Sequence, residues 1–199
     1  MEVTGEEILL TGVWTQVVGT VIAAIGETIV VKNDGAGSPG YRLVSIGNGF
    51  EGAGNSLQGV GAIQLFDGTE PELLRIMGDW IQASGNATNT VAAELQFSGE
   101  ETEGLKLDVI GDSFQAIGLG LEAYGASNSK ARFKDLLAAG NTIQLVGAVI
   151  EGVGENFILR GKSELGLQIT AFGSYAQVAG ASMAAVALTM EASVGINPE

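Results

Sequence analysis

The sequence predicts an all-α protein of six long antiparallel helices, stacked as helical hairpins and packed closely through glycine and alanine. Three observations predict it. An eight-residue motif, Gly-x-x-x-Gln-x-x-Gly, recurs six times; glycines continue on either side of it in steps of seven; and short polar turns separate the copies.

The motif copies are Gly12, Gln16 and Gly19; Gly54, Gln58 and Gly61; Gly78, Gln82 and Gly85; Gly111, Gln115 and Gly118; Gly140, Gln144 and Gly147; and Gly173, Gln177 and Gly180. Asn or Asp follows the first glycine in four copies and Ser in a fifth. Longer series extend the spacing: Gly12, Gly19, Gly26; Gly47, Gly54, Gly61, Gly68; Gly104, Gly111, Gly118, Gly125; Gly140, Gly147, Gly154; Gly166, Gly173, Gly180. Seven residues are two helical turns, so each series stays on one stripe of a helix, whereas a strand would put successive members on opposite faces. The glutamine lies three or four residues from its flanking glycines, which places it on the same stripe.

The turns set the elements in order. Residues 32–40 (Lys-Asn-Asp-Gly-Ala-Gly-Ser-Pro-Gly) end a first helix over 6–31 and precede a second over 41–66. Residues 67–71 follow, with Thr69 or Glu70 as a cap and Pro71 in the first turn of a third helix over 70–97. Breaks at 98–102, 127–129 and 154–156 leave helices over 102–125, 129–153 and 157–191. The connections are short, so consecutive helices are antiparallel neighbours in one helical-repeat domain spanning 1–199. Gly26, Gly19 and Gly12 lie at nearly the same distances from the first turn as Gly47, Gly54 and Gly61, which predicts glycines meeting at matching heights.

Interior glycine costs a helix up to about 1 kcal/mol relative to alanine. More than a dozen here sum to the order of 10 kcal/mol, comparable with the net stability of a domain. Close approach of two backbones offsets that cost, through dispersion contacts and Cα–H···O bonds. Ala23, Ala24, Ala138, Ala139, Ala184 and Ala185 suit the same role. A glutamine on such a stripe is partly buried, so its amide needs a partner: another glutamine, a carbonyl bared beside a glycine, or a group on a neighbouring molecule. Registry between helices is the expected role of the glutamine belt, ahead of a ligand site or polar channel.

Composition narrows the function. The net charge of −14 excludes a phosphate-backbone partner, so no nucleic acid is expected. Without cysteine or histidine the chain lacks thiol nucleophiles, disulfides and the commonest base and metal ligands. No Walker, Rossmann or nucleophile-elbow motif occurs in its required context. The acidic clusters at Asp67, Glu70 and Glu72 and at Glu100, Glu101 and Glu103 lack calcium-loop spacing and read as solvated turns. Lys130, Arg132 and Lys134 read as a charged helix start, and Trp14 and Trp80 as core or interface anchors. No enzyme, cofactor, metal or catalytic residue is therefore expected.

The repeated Gly-[Asn/Asp]-x-[Leu/Ile/Phe]-Gln-x-x-Gly copies resemble an uncharacterised family of small, glycine-rich repetitive proteins from spore-forming bacilli. That resemblance carries no activity; it implies a bacterial, sporulation-linked setting, with spore or surface association after release. The acidic N-terminal residues Met1 to Glu7 do not form a signal peptide, so synthesis in the cytoplasm is expected.

Helices one, five and six are apolar nearly all round and need burial on more than one side. The leading expectation is a structural protein that self-assembles into a homo-oligomer or polymer such as a sheet or filament. The alternatives are a multi-span membrane protein and a soluble-to-membrane pore-forming effector. Small-residue helix contacts and segment lengths favour the membrane. Glu103, Lys106, Asp108 and Asp112 on helix four, and basic residues at both ends, count against it.

Overall fold

A computed structural model describes residues 3–35 and 37–196. It contains six helices, α1 (Gly5–Lys32), α2 (Gly40–Leu65), α3 (Glu70–Ser98), α4 (Glu101–Asn128), α5 (Lys134–Leu159) and α6 (Ser163–Ile196), and no strand among the described residues. Each helix packs against its neighbours in sequence, α6 returns to pack against α1, and among the described residues no other pair of helices brings its backbones together. The molecule is therefore a closed ring of three helical hairpins around a central lumen. One end, here the hairpin end, carries the α1–α2, α3–α4 and α5–α6 turns. The crossover end carries the α2–α3 and α4–α5 turns.

Local chemistry starts and stops the helices. Thr4 caps α1 in a reciprocal box with Glu7: the Glu7 amide donates to Thr4 Oγ1 (3.2 Å) and the Thr4 amide to the Glu7 carboxylate (2.9 Å). That backbone bond, then the Thr4 hydroxyl, holds the exposed Glu7 carboxyl below its ordinary value. Thr69 caps α3 with Pro71 in the first turn, and its amide and hydroxyl both donate to Asp67, lowering that carboxyl too. Gly99 ends α3 in the left-handed region (φ 93°), and the Glu100 amide closes the end on the Leu95 carbonyl (2.9 Å).

The glycine series lie between the two helices of each hairpin. Gly12 faces Gly54, Gly19 faces Gly47, Gly78 faces Gly118, Gly85 faces Gly111, Gly140 faces Gly180 and Gly147 faces Gly173. A methyl group on Gly12 would stand 2.6 Å from the Gly54 carbonyl oxygen, and one on Gly54 2.7 Å from that of Gly12. Only hydrogen fits between these backbones. Gly61 meets Gly5 and Gly26 meets Gly40 in the same way, so the first hairpin is shifted by one seven-residue step from the pairing expected from distance to the turn. The shift arises because Gly40 itself belongs to the series. The chain passes Lys32 and descends through the positive-φ residues Asp34, Gly35 and Gly37 before α2 begins.

Three other expectations are corrected. Residues 154–156 are not a turn: Gly154 packs on Gly166 and Thr170 within the third hairpin, and the chain reverses instead at Gly161 (φ 75°). The α4 helix runs through residues 127 and 128, and α5 starts only at Lys134. Gly68 leaves its series, taking a left-handed turn conformation (φ 85°) with no neighbour near it.

Apolar side chains gather at the two ends of the ring. Val30, Tyr41, Leu105, Ile158 and Leu167, with Phe97 packed on them, close the hairpin end. Leu9, Ala62 and Ile76, and Ala126, Leu137, Ala184 and Ala187, close the crossover end, and Leu188 packs on both groups.

Candidate functional site

Between these apolar plugs the lumen is polar. Six carboxylates on four helices lie buried in its hairpin half: Glu27 on α1, Glu51 on α2, Asp108 and Asp112 on α4, and Glu151 and Glu155 on α5. They share a cavity of about 30 Å³ with Asn48, Asn89, Thr170, Ser174 and Gln177, and no lysine or arginine lines it. The crossover half holds a smaller cavity of about 10 Å³ lined by Asp79, Glu122, Asn141 and Arg75. There a guanidinium is built in, tied to Glu72 at 3.0 Å.

The six motif glutamines are all buried, and five of them divide between two roles. Gln58 Nε2 donates to Gln16 Oε1 (2.9 Å) and Gln16 Nε2 donates to Gln144 Oε1 (2.9 Å). Helices α1 and α5 are not ring neighbours, so this chain of amides crosses the lumen and separates the two cavities. Gln82 and Gln177 donate instead to the carboxylates Glu122 and Glu151. Gln115 is buried opposite Gly85, its stem over the glycine. The partners are thus glutamines, as expected, and carboxylates, which the sequence reading did not foresee.

On the hairpin side, Gln96 and Asn89 of α3 donate to Asp108 Oδ2 and Asp112 Oδ1, each at 2.8 Å. Asp108 and Asp112 stand one helical turn apart on α4, and Glu155 reaches them from neighbouring α5. Ligand oxygens of the three lie within 4.8 Å of one another. Asp112 Oδ2 and Glu155 Oε2 are buried without a hydrogen-bond partner. Asp112 also borders a crevice between α4 and α5, lined by Ser113, Ala116, Ala148 and Gly152, that reaches the outer surface.

The exterior is the inverse of the interior. Trp14, Val18, Val21 and Ile25 form the outward stripe of α1; Ile46, Phe50, Val60 and Ile63 that of α2; and Ile110, Phe114, Ile117 and Tyr124 that of α4. Trp14 and Trp80 point outward and are not core residues, although the Trp14 indole donates to Thr189 (3.2 Å). Across the middle of α1 to α5 the charged residues face the lumen, α6 has none between Leu165 and Met190, and the exposed charges lie toward the helix ends and in the turns. On α3, where Arg75 and Glu94 bracket it most tightly, the uncharged outer face covers residues 76–93, about 27 Å at the helical rise.

A sequence signal for this lumen existed. The residues one and four positions after many heptad glycines are polar: Asn48 and Glu51, Asn55 and Gln58, Asp79 and Gln82, Asp112 and Gln115, Asn141 and Gln144, Ser174 and Gln177. Both positions flank the glycine stripe on its inner side. Counting Asp108 and Asp112 only as charges against a membrane span hid it.

No curated protein and no solved structure matches the chain. One family model matches residues 7–185, most of its length, and the protein accordingly belongs to a family of unknown function, DUF6944.

Proposed function

We propose that this chain is an integral membrane protein, a six-span helical ring that encloses an anionic, cation-accepting interior within the bilayer. The observation that carries this reading is the inversion of polarity: an outer belt uncharged on all six helices and mostly apolar, around a lumen of carboxylates and amides. The belt of at least about 27 Å is close to the roughly 30 Å thickness of a bilayer's hydrocarbon core. In lipid, helices associate through small residues that bring backbones together, which is the geometry of the three glycine hairpins. Ionisable residues placed inside such a bundle ordinarily mark an ion or proton site. Asp108 and Asp112 no longer count against a membrane location, because both face the lumen.

One observation favours the second reading, a self-assembling homopolymer. Only α1, α5 and α6 carry a stretch apolar enough by composition to cross a membrane. In that reading the outer belt is covered by other copies of the chain. Membrane fractionation of the expressed protein separates the two. Recovery in a membrane pellet that resists alkaline extraction and yields to detergent supports the six-span ring. Recovery without detergent as soluble particles or filaments, seen by negative-stain microscopy, refutes it in favour of assembly.

A further inference from the structure

We propose that Asp108, Asp112 and Glu155 form a binding site for one calcium ion in the hairpin half of the lumen. This deepens the proposed function and rests on its anionic interior, though not on the presence of lipid. Three features beyond the clustering of acids point to a cation. Two oxygens, Asp112 Oδ2 and Glu155 Oε2, are buried with no partner, on side chains 3% exposed. Each aspartate has its other oxygen held by an amide of α3, Gln96 for Asp108 and Asn89 for Asp112. Such outer partners orient the ligands of a metal site. Finally, the crossover cavity places Arg75 beside its acids, whereas the hairpin cavity has six carboxylates and no basic side chain, so protons or a cation from outside the chain must balance whatever charge they carry.

The ligand set selects the ion. Carboxylate and amide oxygens without histidine or cysteine suit a hard cation. Oxygens within 4.8 Å of one another fit inside the coordination sphere of calcium, which is about 4.6–5.2 Å across at its usual bond lengths. Magnesium keeps several of its waters and is bound through one or two carboxylates, whereas three converge here.

The test is calorimetric titration of the purified full-length chain with calcium and, separately, magnesium, in detergent or in whatever buffer keeps it monodisperse. Saturable binding of about one calcium per chain, with magnesium at least about tenfold weaker, is the expected result. Asp112→Asn and Glu155→Gln should each weaken calcium about tenfold or more while leaving the helical circular-dichroism signal intact. Glu122→Gln, in the crossover cavity, should bind as the parent does. Asp108→Asn serves if either first variant fails to fold. Absence of saturable calcium binding at millimolar concentration overturns the site, as does unchanged affinity in folded Asp112→Asn and Glu155→Gln. A chain that binds calcium but fractionates as soluble keeps the site and loses the membrane reading; one that resists alkaline extraction but ignores calcium does the reverse.

Discussion

Gly54→Ala compared with Gly49→Ala tests the packing on which the ring depends. Both glycines lie within α2, and both substitutions remove the same backbone freedom from the unfolded chain. At Gly49 an added methyl meets nothing within 4 Å, so alanine should stabilise by up to about 1 kcal/mol through helix propensity alone. At Gly54 the methyl would lie 2.7 Å from both the Gln16 amide nitrogen and the Gly12 carbonyl oxygen, against 3.4 Å for an ordinary contact. The neighbouring atoms are backbone, so no rotamer change relieves the clash. Helices α1 and α2 must part by about 0.7 Å, the shortfall between those two distances. The same movement loosens the Gly5–Gly61, Gly19–Gly47 and Gly26–Gly40 levels, because the helices are rigid. Overpacking of this kind costs about 1–3 kcal/mol. Set against the propensity gain, the net loss is about 0–2 kcal/mol, so the two variants should differ by the overpacking cost of about 1–3 kcal/mol. Denaturant unfolding followed by circular dichroism at the helical band measures both. A Gly54→Ala protein as stable as Gly49→Ala would show that the glycines do not set the helix spacing.

Gln144→Leu strands the Gln16 amide donor inside the lumen and should cost about 1–3 kcal/mol in the same unfolding assay. A double-mutant cycle with Gln16→Leu should return a coupling of at least about 0.5 kcal/mol, and zero coupling would remove the amide bridge as a structural tie. Ile117→Lys places a charge on the outer belt of α4, halfway along the helix, and should disfavour insertion by about 2.5–3.5 kcal/mol. Its recovery in the alkali-resistant fraction should fall while Ile117→Val behaves as the parent; equal recovery would contradict a lipid-facing surface. Thr4→Ala removes the α1 cap and should cost about 1 kcal/mol, read from the unfolding midpoint at neutral pH. Glu7 carries a depressed folded pKa, so its share of the cap is complete above the ordinary value of 4.5 and is lost as pH falls through the lower folded one. Thr4→Ala keeps the backbone amide and loses only the hydroxyl bond to Glu7, so the difference from the parent should narrow in acid by that bond's share; a difference independent of pH would exclude the hydroxyl bond.

Helix type, number and hairpin pairing were legible because a period of seven is a property of one helix and needs no neighbour to be seen. The same holds for the start of α3 at Thr69 and Pro71 and for the break at 98–102, where a few adjacent residues decide the geometry. Glu155 shows where legibility stopped. Beside Gly154 and Asn156 it reads as part of a polar turn, yet it lies inside α5 and points at two aspartates more than forty positions earlier. Local chemistry cannot distinguish a solvated acid from a buried one, since both suit a helix.

The sequence by itself determined that rods of this length would form and that glycine would let them nest in pairs, since both follow from spacing along one chain. Only the tertiary structure decided which flank of each rod faces inward. Closing three hairpins into a ring, with α6 against α1, turned the polar flank to the centre and left the apolar flank outside. The stripe of glycines is compatible with either orientation; closure of the ring chooses between them, by bringing carboxylates from distant segments into one enclosed volume.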